Sequence, residues 1–145
     1  MTTHDTSTPC IGICSTIYGD EVCRGCKRSY QEIIDWNGYQ DNQKWEVLTR
    51  LDTQINAVMA QVLCVSDLAL LEARLEKHNI PYRAGFSPLT WAYQLLLEGH
   101  GKIADLEKYG IQVHEDFKHL SVKALFEQCD ERIYERAVKR YESTH

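Results

Sequence analysis

No stretch of this chain approaches the roughly 20 apolar residues that a membrane-spanning helix needs. Residues Met1 to Pro9 are polar and rich in Thr, without the apolar centre of a secretory signal. The expectation is a cytoplasmic protein with no membrane contact. There is no pronounced basic tract either, and the formal net charge is −5. That speaks against non-specific nucleic-acid binding, which depends on Lys and Arg neutralising phosphates, and leaves only a local contact through Arg24, Lys27 and Arg28. Sustained period-two alternation is missing, so no sheet is expected. Internal repeats and low-complexity linkers are absent, as is any Ser/His/Asp arrangement, phosphate loop or acid pair; no enzyme active site is visible and no catalytic residue is assigned.

Helical periodicity fills most of the remainder. At 145 residues, 43% of them hydrophobic, the chain is long enough and apolar enough for a single core. Asp41 can cap a long helix striped with Leu48, Leu51, Ile55, Val58, Met59 and Val62 at three- and four-residue steps. Ser66-Asp67 opens a Leu-rich helix that ends between His78 and Pro81, and Ser87-Pro88 starts another that ends at Gly99-His100-Gly101. A short helix from Lys102 to Tyr109 stops at Gly110, where Ile111 supplies the contact of a glycine C-cap. Ser121 caps a last helix striped with Val122, Phe126, Cys129, Ile133, Ala137 and Tyr141. The fold class is therefore all-α, with a Cys-rich segment at 1–35 and a helical body at 36–145 forming one packed unit.

Four of the six cysteines fall in the irregular first part, as Cys10-x3-Cys14, eight residues, then Cys23-x2-Cys26. In a reducing compartment such clustering reads as metal ligation before disulfides. Two close pairs on a short connection can meet at one point with little loop-closure entropy. Arg24, Lys27 and Arg28 can offset the charge of four thiolates and keep them ionised. The metal-ligand set is thus Cys10, Cys14, Cys23 and Cys26; spacing alone leaves a four-cysteine zinc site and an iron–sulfur cluster both open. Cys64, ending one helix, and Cys129, on the stripe of another, read as buried small hydrophobes. His78, His100, His114 and His119 lack metal-ligand spacing, and Trp36, Trp45 and Trp91 read as packing anchors. The alternating charges from Asp130 to Arg140 read as an exposed helix face.

The stretches Pro9-Cys10-Ile11-Gly12-Ile13-Cys14, Cys23-Arg24-Gly25-Cys26-Lys27-Arg28 and Glu32-Ile33-Ile34-Asp35-Trp36 together resemble a small bacterial family. It is catalogued as domain of unknown function 1289 and described as predicted iron–sulfur proteins. The likeness continues through Trp45 and Leu48 to Arg50 and Leu51, roughly the first third of the chain. It implies that Cys10, Cys14, Cys23 and Cys26 hold an iron–sulfur cluster, with 4Fe–4S favoured, and it implies nothing catalytic. The expected function is that of an electron carrier or a redox and oxidative-stress sensor with a protein partner. The alternative is a zinc-stapled helical module for protein interaction, without redox chemistry.

Overall fold

A computed structural model describes residues 6–12 and 14–144. It contains five α-helices and a two-stranded sheet, joined by short 3-10 turns. Helix α1, Tyr30–Asp35, starts where the Ser29 hydroxyl accepts from the Glu32 amide and the Glu32 carboxylate accepts from the Ser29 amide, a reciprocal cap. A 3-10 turn at Trp36–Gly38 leads to α2, Asp41–Val62. Gln40, not Asp41, holds the N-cap position there, its amide donating to the Gln43 side chain. Asp67 caps α3, Leu68–Lys77, by accepting from the Leu70 amide at 3.1 Å. Pro88 opens α4, Pro88–Gly99, and the Ser121 hydroxyl accepts from Ala124 at the start of α5, Val122–Thr144.

The striped residues meet in one core. Leu48, Val58, Met59 and Val62 of α2 pack with Leu71 and Leu75 of α3, Leu95 and Leu96 of α4, and Leu125, Cys129 and Ile133 of α5. Burying apolar side chains of this size contributes about 1.5–3 kcal/mol each. Trp36 and Trp91 join the core, and the half-buried Trp45 packs near Phe86, 6.3 Å between ring centroids. Among the described residues, no helix is long and apolar enough to cross a membrane.

Two elements depart from the helical reading. Strand β1, Leu63–Val65, pairs antiparallel with β2, Ile111–Val113, in the register Leu63↔Val113, Cys64↔Gln112, Val65↔Ile111. Three residues are too few to display an alternation that periodicity can detect. Cys64 is therefore an exposed strand residue rather than the buried end of a helix, because the pleat turns Leu63 inward and Cys64 outward. The helix expected over 102–109 shrinks to a 3-10 turn at Leu106–Tyr109, capped by Asp105. Gly110 ends that turn with φ +77°, and its carbonyl accepts from the Ser66 and Asp67 amides, which ties the entrance of α3 to β2.

Candidate metal centre

A β-bridge and two backbone hydrogen bonds close the Cys23–Cys26 stretch into a tight turn. Val22 bridges Ser29, the Cys23 amide donates to the Arg28 carbonyl at 2.9 Å, and the Lys27 amide donates back to the Cys23 carbonyl at 2.9 Å. Lys27 adopts φ +67°, a left-handed conformation that costs a non-glycine residue about 1 kcal/mol or more. Its side chain supplies the compensation. The ammonium is 3% exposed and donates to the carbonyls of Arg24 and Gly25 and to Asp130 of α5, the last at 2.7 Å.

The turn presents two buried sulfurs to each other. Cys23 is 1% exposed and Cys26 7%. The Cys26 thiol donates to the Cys23 sulfur, which lowers Cys23 well below the ordinary thiol value against the opposing cost of burial. Amides of Cys26, Ser15 and Gly25 donate to the same sulfur. Acting as donor, and being buried, holds the Cys26 proton firmly in place. Backbone N–H groups converging on sulfur thus favour negative charge on the Cys23 side of the pair.

Arg28 completes this environment. It is 2% exposed; its Nε lies 3.3 Å from the Cys26 sulfur, its Nη2 donates to Thr8 at 3.1 Å, and its guanidinium stacks 4.8 Å over Trp36. It has no carboxylate partner among the described residues. A buried guanidinium is costly unless something anionic meets it, and the sulfur pair is what meets it here. Lys27 and Arg24 do not share that task. Lys27 is turned to α5, and Arg24 reaches Glu131 at 3.4 Å and covers the Tyr134 ring at 4.2 Å. Lys27 and Arg28 are buried, so of these three cations Arg24 alone is exposed.

The other two cysteines lie along the preceding segment. Cys14 sits in extended conformation before the 3-10 turn Ser15–Tyr18, its sulfur 2.8 Å from the Thr16 hydroxyl. The next residue touches the turn twice, through the Ser15 amide on the Cys23 sulfur and through the Ser15 hydroxyl, which accepts from the Arg24 amide at 2.8 Å. Cys10 is exposed, accepts from the Gly12 amide at 3.3 Å, and lines a cavity of about 210 Å³ together with Cys26 and Lys27. The structure therefore brings Cys23 and Cys26 into contact and sets Cys10 and Cys14 on the chain around them. No three His, Cys, Asp or Glu side chains among the described residues converge as a metal-holding group. The donor chemistry suits soft, thiolate-preferring centres, zinc and iron–sulfur alike. No disulfide joins any of the six cysteines. His100 and His114 turn their Nδ1 atoms to the carbonyls of Leu96 and Gln61, away from the cysteines.

Sequence reasoning missed Asp130 and Tyr93. Asp130 accepts from both Lys27 Nζ and the Tyr93 hydroxyl, each at 2.7 Å, and so anchors the cysteine turn to α4 and α5. Nothing local marks them, since Asp130 stands in a run of alternating charges and Tyr93 inside an apolar stripe. The Glu32–Arg50 pair, bidentate at 2.6 and 2.8 Å, fastens α1 to α2 just behind the turn.

Residues 8–55 match the model of a family described as Protein of unknown function (DUF1289). This bears out the resemblance carried by the cysteine motifs over the first third of the chain. The chain is also similar to Uncharacterized protein YdhL of Escherichia coli (strain K12), 49% identical over 43 residues, which are 28% of this chain and 51% of that protein. Uncharacterized protein YdhL of Shigella flexneri matches to the same extent. The chain thus spans about half the length of the curated relatives it matches. No solved structure matches it.

Proposed function

We propose that Cys10, Cys14, Cys23 and Cys26 hold one iron–sulfur cluster of the 4Fe–4S type, and that the protein acts as an electron carrier or as a sensor of oxidants rather than as an enzyme. The observation that carries this reading is the buried Arg28 on the Cys26 sulfur, in a turn whose amides are aimed at sulfur. Such an arrangement stabilises negative charge on thiolates, the form in which cysteine binds metal. Bound there, the cluster supplies single-electron transfer and sensitivity to oxidants. The chain's own part is to hold two sulfurs ready at the Cys23–Cys26 turn, to complete the donor set from Cys10 and Cys14, and to keep the turn seated on α5 through Lys27.

A redox or regulatory protein is the proposed partner. Ile17, Tyr18, Tyr30 and Ile34 leave large apolar side chains exposed on the elements that flank the cysteines. The cytoplasm is the proposed location, because its thiol pool keeps unligated cysteines reduced. The rigid seating of the turn on α5 favours a second reading, in which a zinc ion staples the N-terminal segment to a helical interaction module and no redox chemistry occurs.

Purification without oxygen, followed by visible absorption and by assay of iron, acid-labile sulfide and zinc, separates these readings. Iron and sulfide in comparable amounts with broad visible absorption support the cluster. A colourless protein with one zinc supports the staple. A chain that takes up neither metal after reconstitution overturns both.

A further inference from the structure

A second concave surface lies between α2 and α5, apart from the cavity beside Cys10. An open cleft of about 850 Å³ there is lined by Arg50, Arg136, Lys139 and Arg140, with Glu46 as its one carboxylate. In a chain of net charge −5, four cations facing one cleft are a local reversal of sign. The side chains of Arg136, Lys139 and Arg140 make no hydrogen bond or ion pair among the described residues, although Glu135 and Glu142 stand within one helical turn of Lys139. Only Arg50 is paired, through its Nη groups to Glu32.

Two further observations concern the residues that line the cleft. Among the described residues, the buried side-chain polar atoms without a hydrogen-bond partner are Arg50 Nε and Gln54 Oε1, and both residues line this cleft. A buried polar atom left unpaired costs about as much as a lost hydrogen bond. Arg140, although exposed overall, is held below the ordinary arginine value by partial desolvation and by the charge of Arg50, against the opposing pull of the Glu32 carboxylate. The cleft therefore places Arg136, Lys139 and Arg140 beside a fourth cation, Arg50, whose charge is met by Glu32.

We infer that this α2–α5 cleft binds a small multivalent anion carrying phosphate groups. Phosphate oxygens accept from guanidinium groups in paired geometry, which suits the unpaired Arg136 and Arg140, while Lys139 adds a point charge. The exposed Arg136, Lys139 and Arg140 side chains supply the donors that such an anion would take. A small ligand is favoured over a nucleic-acid strand because the acidic chain beyond the cleft repels an extended polyanion. No cysteine lines this cleft.

The test uses the full chain, with inorganic pyrophosphate as the probe, in calorimetric titration at low and at physiological salt. Saturable binding at one site is expected. The variant Arg136→Gln with Arg140→Gln should bind about tenfold or more weaker, while Lys102→Gln with Lys123→Gln, two exposed lysines outside the cleft, should leave binding unchanged. All four positions are exposed, so both variants should keep the native circular dichroism. Absence of saturable binding at millimolar pyrophosphate overturns the inference, as does equal binding by the two double variants. Single-stranded RNA that binds far more tightly than pyrophosphate, and loses that binding in the arginine variant, overturns it in favour of a nucleic-acid surface.

Discussion

Lys27 Nζ and Asp130 Oδ1 stand 2.7 Å apart, so a residue of the cysteine turn is ion-paired to a helix 103 positions further along the chain. The ammonium is almost fully buried and the carboxylate about two-thirds so. Because the same lysine sits at positive φ, the pair also holds the backbone that separates Cys26 from Arg28.

Asp130→Asn should accordingly loosen the turn more than the helices. Removing one partner of a buried ion pair costs about 3–5 kcal/mol, less where one group is partly solvated, so a loss of about 2–3 kcal/mol is expected. Urea unfolding measures it, and limited proteolysis should show new cleavage around 20–30. Unchanged stability and unchanged cleavage would remove Asp130 from the role of anchor.

Cys23→Ser combined with Cys26→Ser should abolish metal uptake yet preserve most of the helical circular dichroism. The core built from α2, α3, α4 and α5 does not include either cysteine, so it does not depend on them for its apolar contacts. Collapse of the whole helical signal would show instead that the N-terminal segment supports the body.

Cys64 and Cys129 should separate cleanly in thiol labelling and in stability. Cys64 is exposed on β1 and should react readily; Cys64→Ser should change stability by less than about 0.5 kcal/mol. Cys129 is fully buried, and burial, joined by the charge of Asp130 and opposed by Arg132, pushes its thiol up to about 11. It should resist labelling until the protein unfolds, and Cys129→Ser should cost about 1–3 kcal/mol by burying a hydroxyl. Metal content should be unchanged in both variants, since neither belongs to the proposed ligand set.

The Glu32–Arg50 pair gives the fold a pH dependence with a definite sign. Burial raises the Glu32 carboxyl, but Arg50 and the Ser29 amide outweigh it, and the net effect is a lowered value. A carboxyl with a depressed folded-state value contributes stability above its unfolded value near 4.5 and loses it as pH falls through the folded one. Stability of the native chain should therefore fall as the medium is acidified below about pH 4.5. Glu32→Gln should be less stable at neutral pH and show a shallower decline, as measured by denaturant unfolding across that range. An identical slope in the variant would assign the acid sensitivity to other carboxylates.

Much of this protein is decided within short sequence windows. The stripes of α2, α3, α4 and α5, the caps at Asp67 and Ser121, and the stop at Gly110 are local facts, because helix periodicity and end chemistry act over a few residues. The Cys23-x2-Cys26 spacing likewise suffices to make a turn that brings two sulfurs together. Contacts between distant positions are another matter. That Cys64 faces solvent follows from its pairing with Gln112 across the sheet, and that Lys27 is buried follows from α5 laying Asp130 beside it. The guanidiniums of Arg50 and Arg140 share a cleft because the core stripes set α2 against α5 at one particular rotation. Periodicity determines which face of each helix is apolar; the packing of those faces in three dimensions decides which polar residues on their flanks become neighbours.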